Sequence, residues 1–331
     1  MIDFQNKIIN FLKYVLMFFS VIIVLNLSGC NRANNTQNIS KKQKMPAENH
    51  KQLWNRIRNN YDMAPKQIET HQQPQIQKYV KHYTEKEKTL EKMSTQATPY
   101  LFHIVEELEQ REMPGELALL PMIESAFRPE ATSNRGAAGL WQFIPSTGRY
   151  FGLKQNAWYD GRRDIRASTS AALDYLASLH EAFDHNWMLA LAAYNAGEGT
   201  VRRAIKKNLK QGKPTSFWDL HLPKETQEYV PKFLALAEII GQPEKHDILL
   251  PEIENKPYFL PVIFNKSLNF QQAANLANIH ITELKRLNPG YKRSRIHTKA
   301  SPEFLLPIAN KAIFEYNFAN KHKRVKSEHE H

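Results

Sequence analysis

The chain has 331 residues and carries 45 Lys and Arg against 33 Asp and Glu, a formal net charge of +12 at pH 7. This length suits one or two domains, and the positive excess favours an anionic or membrane-adjacent setting. A single cysteine, Cys30, excludes an intramolecular disulfide, a cysteine-rich zinc site and an iron-sulfur cluster. Glycine and proline number only 12 and 18, which disfavours collagen-like and turn-dense all-β chains. The composition therefore favours a mainly α globular protein.

The N-terminal segment has the pattern of an export signal. Lys7 and Lys13 precede an apolar run at 14–27, and Ser28 and Gly29 follow it. This order is typical of a signal peptide, and the run is shorter than the about 20 residues of a spanning helix. The motif LSGC at 27–30 resembles the lipobox of bacterial lipoproteins. We therefore expect lipidation of Cys30, although an ordinary signal with an incidental cysteine stays open.

That resemblance has consequences for location and partners. It implies a mature chain that begins at Cys30 and is anchored in a lipid membrane. Asn31, where Asp would favour another destination, implies the outer membrane, with the protein facing the periplasm. Export makes nucleic acid an improbable natural partner for the positive charge, so we expect no nucleic-acid binding.

Composition changes along the chain predict its organisation. The expected segments are a lipoprotein signal peptide at 1–29, a flexible polar tether at 30–51, a helical catalytic domain at 52–241, a proline-containing linker at 242–258, a small domain at 259–308 and a disordered tail at 309–331. The small domain has a β-α-α-β order, because two apolar runs flank two short helical patterns. The fold class expected is mainly α, with a small α+β domain.

Apolar spacing predicts most of the helices. Leu101, Ile104, Val105 and Leu108 recur at three- and four-residue intervals, which predicts a helix over 99–111. Pro114 is placed to open a buried helix that runs to Phe127. Further helices are expected at 165–183, 187–195, 200–209 and 225–240. The stretch 128–163 is rich in Gly, Ser, Thr, Asn and Pro, and it is expected to be irregular and to carry a site.

Glu124 lies near the end of the predicted buried helix. An apolar environment disfavours the ionised carboxylate and raises its pKa, which suits a general acid. The structural alternative is a helix-end Glu that pairs with Arg128 or Arg135. The GAAG segment at 136–139 would let backbone approach a ligand closely. Together with the amides of Gln142 and Asn195 and the phenol of Tyr194, these features suit an N-acetylated sugar.

Four ordered motifs carry a family resemblance. They are ESAF at 124–127, GAAGLWQF at 136–143, AAYNAGEG at 192–199 and PKETQEYV at 223–230. In order and spacing they resemble the lytic transglycosylases of the goose-lysozyme-like superfamily. The resemblance implies a lysozyme-like (SLT) helical domain that cleaves the MurNAc-GlcNAc bond of peptidoglycan and leaves 1,6-anhydro ends. It implies no cofactor and no metal.

The resemblance also assigns roles by position. Glu124 would act first as acid and then as base. Substrate-binding positions would be Ser133, Gly139, Gln142, Tyr194, Asn195 and Glu225. For Glu225 the alternative is a helix N-terminal Glu that is stabilised by the helix dipole.

Two other functions stay open at this point. A hydrolytic muramidase on the same fold would need a second carboxylate, but Glu130 is the only acidic residue between Glu124 and Asp160. That absence favours the transglycosylase, and Asp160 and Asp164 are interpreted as turn or capping residues. The other alternative is a catalytically inactive lipoprotein that binds peptidoglycan.

Residues 259–308 resemble a LysM glycan-binding module in part. The alternative is a packing domain that binds no glycan. Basic clusters at 202–213 and 285–299 are typical of solvated helix faces and could also attract anionic groups. The partners expected are therefore peptidoglycan glycan strands and, through Cys30, a lipid membrane.

Overall fold

The structure is a computed structural model that describes residues 52–63, 73–264, 267–296 and 303–327. The predicted signal peptide, Cys30 and the tether up to residue 51 lie outside these ranges. Within the described ranges, no helix combines the length and hydrophobicity needed to span a bilayer.

Four helices open the described chain. They are α1 (Leu53–Asn59), α2 (Gln73–Thr84), α3 (Glu87–Ala97) and α4 (Leu101–Gln110). The buried residues of α4 are Leu101, Ile104, Val105 and Leu108, the four whose spacing predicted this helix. The prediction of an amphipathic helix here is confirmed, and its apolar face joins the main hydrophobic core.

The buried helix expected from Pro114 to Phe127 is split and shorter. A 3-10 turn over Gly115–Leu119 leads into α5 (Leu120–Glu124). The helix stops because Ala126 and Phe127 adopt positive φ values of 52° and 55°. Such a conformation is uncommon for non-glycine residues. As a result, Glu124 is the last residue of α5.

The site-bearing region and the helices behind it follow. They are α6 (Pro145–Tyr150), α7 (Ile165–Ala182), α8 (Trp187–Ala196), α9 (Glu198–Lys210) and α10 (Lys224–Gly241). Asp164 caps α7, because its carboxylate accepts a hydrogen bond of 2.7 Å from the Ala167 amide. Seven consecutive residues of α8, from Trp187 to Ala193, are buried. This central helix packs against α7, α9 and α10.

A small α+β unit, which we term the C-terminal module (258–327), completes the chain. Its elements are β1 (Phe259–Ile263), β2 (Leu268–Asn269), α11 (Phe270–Ala277), α12 (Ile281–Leu287), β3 (Arg295–Ile296), β4 (Glu303–Pro307) and α13 (Ile308–Ser327). Strand β1 pairs antiparallel with β4, with Val262 opposite Phe304. The short strands β2 and β3 form a second antiparallel pair. The expected β-α-α-β order is present, with an additional strand pair.

The C-terminus differs from the expected disordered tail, because α13 covers much of 309–331. Phe314 is buried and contacts Phe304 with ring centroids 5.1 Å apart. The side chains of Asn310 and Asn317 donate hydrogen bonds to the Ala277 and Leu276 carbonyls at the end of α11. The polar run at 322–331 led to the expectation of disorder for the whole tail, although Ile313, Phe314 and Phe318 precede it.

The expected linker at 242–258 also differs, because it packs against the helical domain. Ile248 and Ile253 are buried in the main core. The Leu53 amide donates to the Ile253 carbonyl at 2.9 Å, and the Trp54 indole donates to the Pro251 carbonyl at 2.9 Å. These contacts fasten the segment to α1, so it is not a free spacer.

Candidate active site

One groove gathers most of the predicted site residues. Its volume is about 730 Å³, and its walls come from the end of α5, the loop before α6, the end of α8 and the start of α10. The predicted residues that line it are Glu124, Ser133, Gln142, Tyr194, Asn195 and Glu225. Four segments that are distant in sequence thus converge on one concave surface.

Glu124 is partly buried at the end of α5, where it lines the part of the groove that we term its floor. Burial of its carboxyl group raises its pKa to about 7, while the hydrogen bond from Tyr229 opposes the rise and the negative charge of Glu225 adds to it. The arginines considered as its partners make other contacts. Arg128 donates to the Ser125 carbonyl, and Arg135 lies 3.9 Å from the Glu225 carboxylate. The direction of the pKa shift agrees with the expectation for a general acid.

Tyr229 is a site residue that the sequence interpretation missed. Its hydroxyl donates a 2.5 Å hydrogen bond to Oε1 of Glu124. Burial and the adjacent Glu124 raise the pKa of Tyr229 well above its ordinary value, so it remains a neutral donor. The signal was present in PKETQEYV, because Tyr229 lies four residues after Glu225 and shares its helix face.

Tyr194 and Asn195 contact protein groups that shape the groove. The Tyr194 hydroxyl donates to the Trp141 carbonyl at 2.8 Å, and burial raises the pKa of this phenol. The Asn195 side-chain oxygen accepts a 2.8 Å hydrogen bond from Thr226. Both residues lie at the end of α8, where Gly197 adopts a φ of 85° and ends the helix. Tyr194 therefore links α8 to the segment that contains Trp141, and Asn195 links α8 to α10.

Residues 131–143, which we term the groove loop, have little regular structure but are firmly held. Side chains donate hydrogen bonds to six of its carbonyls: Arg162 to Gly136 and Phe143, Gln142 to Ala131 and Gly139, Ser125 to Leu140, and Tyr194 to Trp141. Buried carbonyls require such partners in the absence of a sheet or helix. The groove loop is thereby fixed against α5, α8 and the segment before α7.

Gln142 and Ser133 differ in exposure, since Gln142 is half-buried and Ser133 is exposed. Gln142 has a positive φ of 48°, and its Nε2 donates to the Gly139 carbonyl at 2.9 Å. Its Oε1 remains as an acceptor for a ligand. Ser133 is exposed at the groove surface, and its hydroxyl oxygen accepts a 3.0 Å bond from the Ala137 amide.

Gly139 was expected to contact substrate, and the structure places it elsewhere. It is buried and does not line the groove. A Cβ at this position would lie 1.9 Å from the Arg162 carbonyl oxygen, and its φ is +87°. The glycine is required for close packing of the groove loop on the chain before α7, which corrects the substrate-binding assignment.

Glu225 lies at the rim of the groove, in the first turn of α10. Its side chain is 70% exposed, and that of its neighbour Arg135 is 87% exposed. The placement fits both readings of this residue, a rim contact for a ligand and a favourable charge at a helix N-terminus.

Comparison with known proteins identifies both parts of the chain. The family described as transglycosylase SLT domain matches residues 103–217, which include Glu124 and the groove loop. The family described as lytic transglycosylase MltD, LysM-like domain, matches residues 258–323. The second match extends through most of α13, in agreement with the packed C-terminal helix.

Three individual proteins show the extent of the similarity. Membrane-bound lytic murein transglycosylase D of Escherichia coli (strain K12) is 42% identical over 233 residues, which is 70% of this chain and 51% of that protein. A protein of Alteromonas sp. (strain M-1) named for tributyltin chloride resistance is 42% identical over 164 residues, covering 50% of this chain and 77% of its own. The X-ray structure of an inactive mutant of lytic transglycosylase Slt from Pseudomonas aeruginosa is 30% identical, covers 43% of this chain and 24% of its own, and has a TM-score of 0.35.

The chain spans about half the length of the first of these relatives. Its two matched segments coincide with the helical domain that forms the groove and with the C-terminal module. The fold is therefore mainly α, a lysozyme-like SLT domain followed by a small α+β LysM-like domain, and the chain belongs to the lytic transglycosylase family.

Proposed function

We propose that this protein is a lytic transglycosylase that cleaves the β-1,4 bond between MurNAc and GlcNAc in peptidoglycan without consuming water. The observation that carries the proposal is Glu124, a carboxyl group with a pKa of about 7 that faces the groove and contacts Tyr229. Near neutral pH such a group is present in both protonation states. It is thus suited to give and then take a proton in one cycle.

In the first step, protonated Glu124 donates its proton to the glycosidic oxygen, and the bond from that oxygen to C1 of MurNAc breaks. The acetamido group of the substrate stabilises C1 between the steps. In the second step, the Glu124 carboxylate takes the proton of the MurNAc C6 hydroxyl, whose oxygen then bonds to C1. The product has a 1,6-anhydro end, Glu124 is protonated again, and no other reactant is needed.

The distribution of carboxylates supports this reaction over hydrolysis. A hydrolase needs a second carboxylate close to the sugar, either to activate water or to attack C1. Among the described residues that line the groove, Glu225 is the other carboxylate, and it lies on the exposed rim beside Arg135. A solvated, paired rim carboxylate is poorly placed for either task.

The remaining site residues are proposed to bind the glycan. Ser133, Gln142 and Asn195 offer a hydroxyl and amides at the groove surface, and Tyr194 and Glu225 lie beside them. Amides and hydroxyls match the acetamido and hydroxyl groups of a GlcNAc-MurNAc strand. We further propose the division into a catalytic domain at 52–241 and a C-terminal domain from about 258.

We also propose that the protein is exported and lipidated at Cys30, and acts from the outer membrane on the periplasmic wall. The sequence pattern at 1–30 supports this, and the Escherichia coli relative is named as membrane-bound. Labelling cells with an alkyne fatty acid, with Cys30→Ser as control, tests it. Label retained by the Cys30→Ser protein would contradict lipidation at this residue.

One digestion separates the catalytic proposals. Purified sacculi are incubated with residues 31–331, and the released muropeptides are weighed. Products with anhydro ends, lighter than hydrolysis products by one water, support the proposal. Products with reducing ends would identify a muramidase. The absence of products, with the protein still sedimenting on sacculi, would identify an inactive binding protein.

A further inference from the structure

The C-terminal module contacts the helical domain through backbone pairing. The segment 155–160, which we term the bridging segment, lies between the groove loop and α7 in sequence. Its Asp160 amide donates to the Gly290 carbonyl at 2.8 Å, and the Lys292 amide of the module donates to the Trp158 carbonyl at 2.9 Å. These two hydrogen bonds run in opposite directions and pair Tyr159 with Tyr291 in an isolated antiparallel β-bridge.

Side chains at this contact are closely packed. Tyr159 of the bridging segment is 6% exposed and belongs to the hydrophobic core of the module. Its ring contacts the Tyr291 ring with centroids 5.2 Å apart. A Cβ on Gly290 would lie 2.9 Å from the Tyr159 ring. The module core is therefore completed by a residue of the helical domain.

The bridging segment ends in a buried ion pair that reaches the groove loop. Arg162 donates through Nε and Nη2 to the two carboxylate oxygens of Asp160, at 2.9 and 2.8 Å. Its Nη1 donates to the Gly136 carbonyl at 2.7 Å and to the Phe143 carbonyl at 3.1 Å. Both charged side chains are only 12% exposed. The planar guanidinium is suited to hold a carboxylate and two carbonyls at once.

The Gly136 and Phe143 carbonyls lie at the two ends of the part of the groove loop that faces the groove. Between Gly136 and Phe143 lie Ala137 and Gln142, which face the groove. Arg162 lies behind this loop and does not line the groove. Gly148 leaves space for Arg162, because a Cβ at Gly148 would lie 2.9 Å from the Arg162 side chain. Arg162 can thus set the position of the groove wall without touching substrate.

We propose that the C-terminal module is a structural part of the catalytic groove, and that Arg162 is the positioning residue through which it acts. The module holds the bridging segment at Gly290, the segment holds Asp160, and the Asp160-Arg162 pair holds both ends of the Gly136–Phe143 wall. This inference rests on the proposed function, since the groove it supports is the proposed glycan site.

The first test is Arg162→Lys in the full-length protein, assayed on soluble, uncross-linked glycan strands that need no attachment to the wall. Lysine keeps the charge beside Asp160 but cannot hold both carbonyls. A displaced groove wall is expected to lower kcat by about 10-fold or more and to raise KM by about fivefold. Circular dichroism and thermal melting verify folding, and a smaller folded fraction alone would lower kcat without raising KM.

The matched control is Arg166→Gln. Arg166 forms an ion pair with Glu303 of the module, so its loss removes another tie between the domains and leaves the Arg162 contacts in place. We expect kcat and KM to stay within about twofold of wild type, as for a partly exposed pair. Equal effects of Arg162→Lys and Arg166→Gln on KM would overturn the proposal.

The second test starts from the module side. Gly290→Ala places a methyl group against Tyr159 and is expected to raise KM by about threefold while leaving the groove residues unaltered. Because it acts through Arg162, the double variant with Arg162→Lys should be no worse than Arg162→Lys alone. Full additivity of the two effects, or an unchanged KM in Gly290→Ala, would contradict the proposed path.

Binding measurements keep this inference separate from the proposed reaction. The dissociation constant of the same soluble strands is measured by calorimetry for the wild type and Arg162→Lys. If the wild type makes no anhydro products, the proposed reaction fails, and weaker binding by Arg162→Lys would still support the positioning role. Equal dissociation constants together with equal KM values would overturn the role of Arg162.

Discussion

The floor and the rim of the groove each carry one glutamate, and the two are chemically different. Glu124 on the floor ends a buried helix, contacts the Tyr229 hydroxyl and has a pKa raised to about 7. Glu225 on the rim is 70% exposed and lies 3.9 Å from an even more exposed Arg135. The same side chain thus becomes a proton donor or a solvated surface charge according to its burial.

The local backbone, rather than the residue type, selects the acid. Glu124 is held at the groove floor because α5 ends there, with positive φ values at Ala126 and Phe127. Ser125 fastens the same turn to the Leu140 carbonyl of the groove loop. On the rim, α10 begins in solvent, and the Glu225 side chain is exposed beside Arg135. Substitutions at the two positions should therefore differ greatly in effect.

The largest difference is expected for activity. Glu124→Gln keeps the side-chain volume but removes the transferable proton, so the rate should fall by about 10³-fold or more. The measurement is release of anhydro muropeptides from sacculi, together with sedimentation on sacculi, which should be nearly unchanged. A Glu124→Gln protein that keeps more than about a tenth of wild-type activity would mean that another group is the acid.

The second effect concerns stability and depends on pH. The pKa of Glu124 is about 7 in the folded protein against 4.5 for the ordinary group. The folded state then binds more protons between these values, so wild-type stability is lost as pH rises from about 4.5 through 7 and levels off above that range. Glu124→Gln lacks this penalty and should exceed the wild type by about 3 kcal/mol at pH 8.

Urea unfolding at pH 5 and pH 8 measures this difference. We expect the two proteins to be close at pH 5 and the variant to be more stable at pH 8. A gap that is equal at both pH values would show that the Glu124 carboxyl is not buried in the folded protein. Glu225→Gln is the rim control, since an exposed carboxylate contributes little to stability.

The third effect isolates the Tyr229 hydroxyl. Its hydrogen bond stabilises the ionised form of Glu124, so Tyr229→Phe should raise the Glu124 pKa and move the alkaline limb of the pH-rate profile to higher pH. A rate loss of about 10-fold is expected as well. Tyr194→Phe is the matched control, because its hydroxyl contacts the Trp141 carbonyl and not Glu124. An equal shift of the limb in both variants would contradict the assignment.

The burial of Glu124 at the groove floor and most residues around it could be predicted from the sequence. The apolar pattern before Glu124 indicated burial, and the four motifs brought the groove residues together in order. What the pattern could not show was the end of α5 at Glu124, since this depends on two non-glycine residues with positive φ. Tyr229 was missed because an aromatic on a helix is most often a core residue.

The packing behind the groove loop, around Arg162, was harder to predict because it depends on contacts between segments that are distant in sequence. The sequence predicts a turn residue at Asp160. In the structure, its carboxylate forms an ion pair with Arg162 and its amide donates to the Gly290 carbonyl. The Gly139 assignment followed the general rule that small residues admit ligands, whereas here the space is filled by backbone. The packed helix α13 was missed because the polar run at 322–331 dominated the interpretation of the tail, although Ile313, Phe314 and Phe318 precede it.

The smallest effect on activity is expected for Glu225 at the rim. Glu225→Gln removes a charge that raises the Glu124 pKa, so the alkaline limb should move slightly to lower pH. The exposed contact with Arg135 contributes little, so kcat/KM should change by less than about threefold. Arg135→Gln serves as the partner control and should also change kcat/KM by less than threefold. A loss of about 100-fold in Glu225→Gln would instead assign this carboxylate to the chemistry and would favour the hydrolytic reaction, which needs two carboxylates.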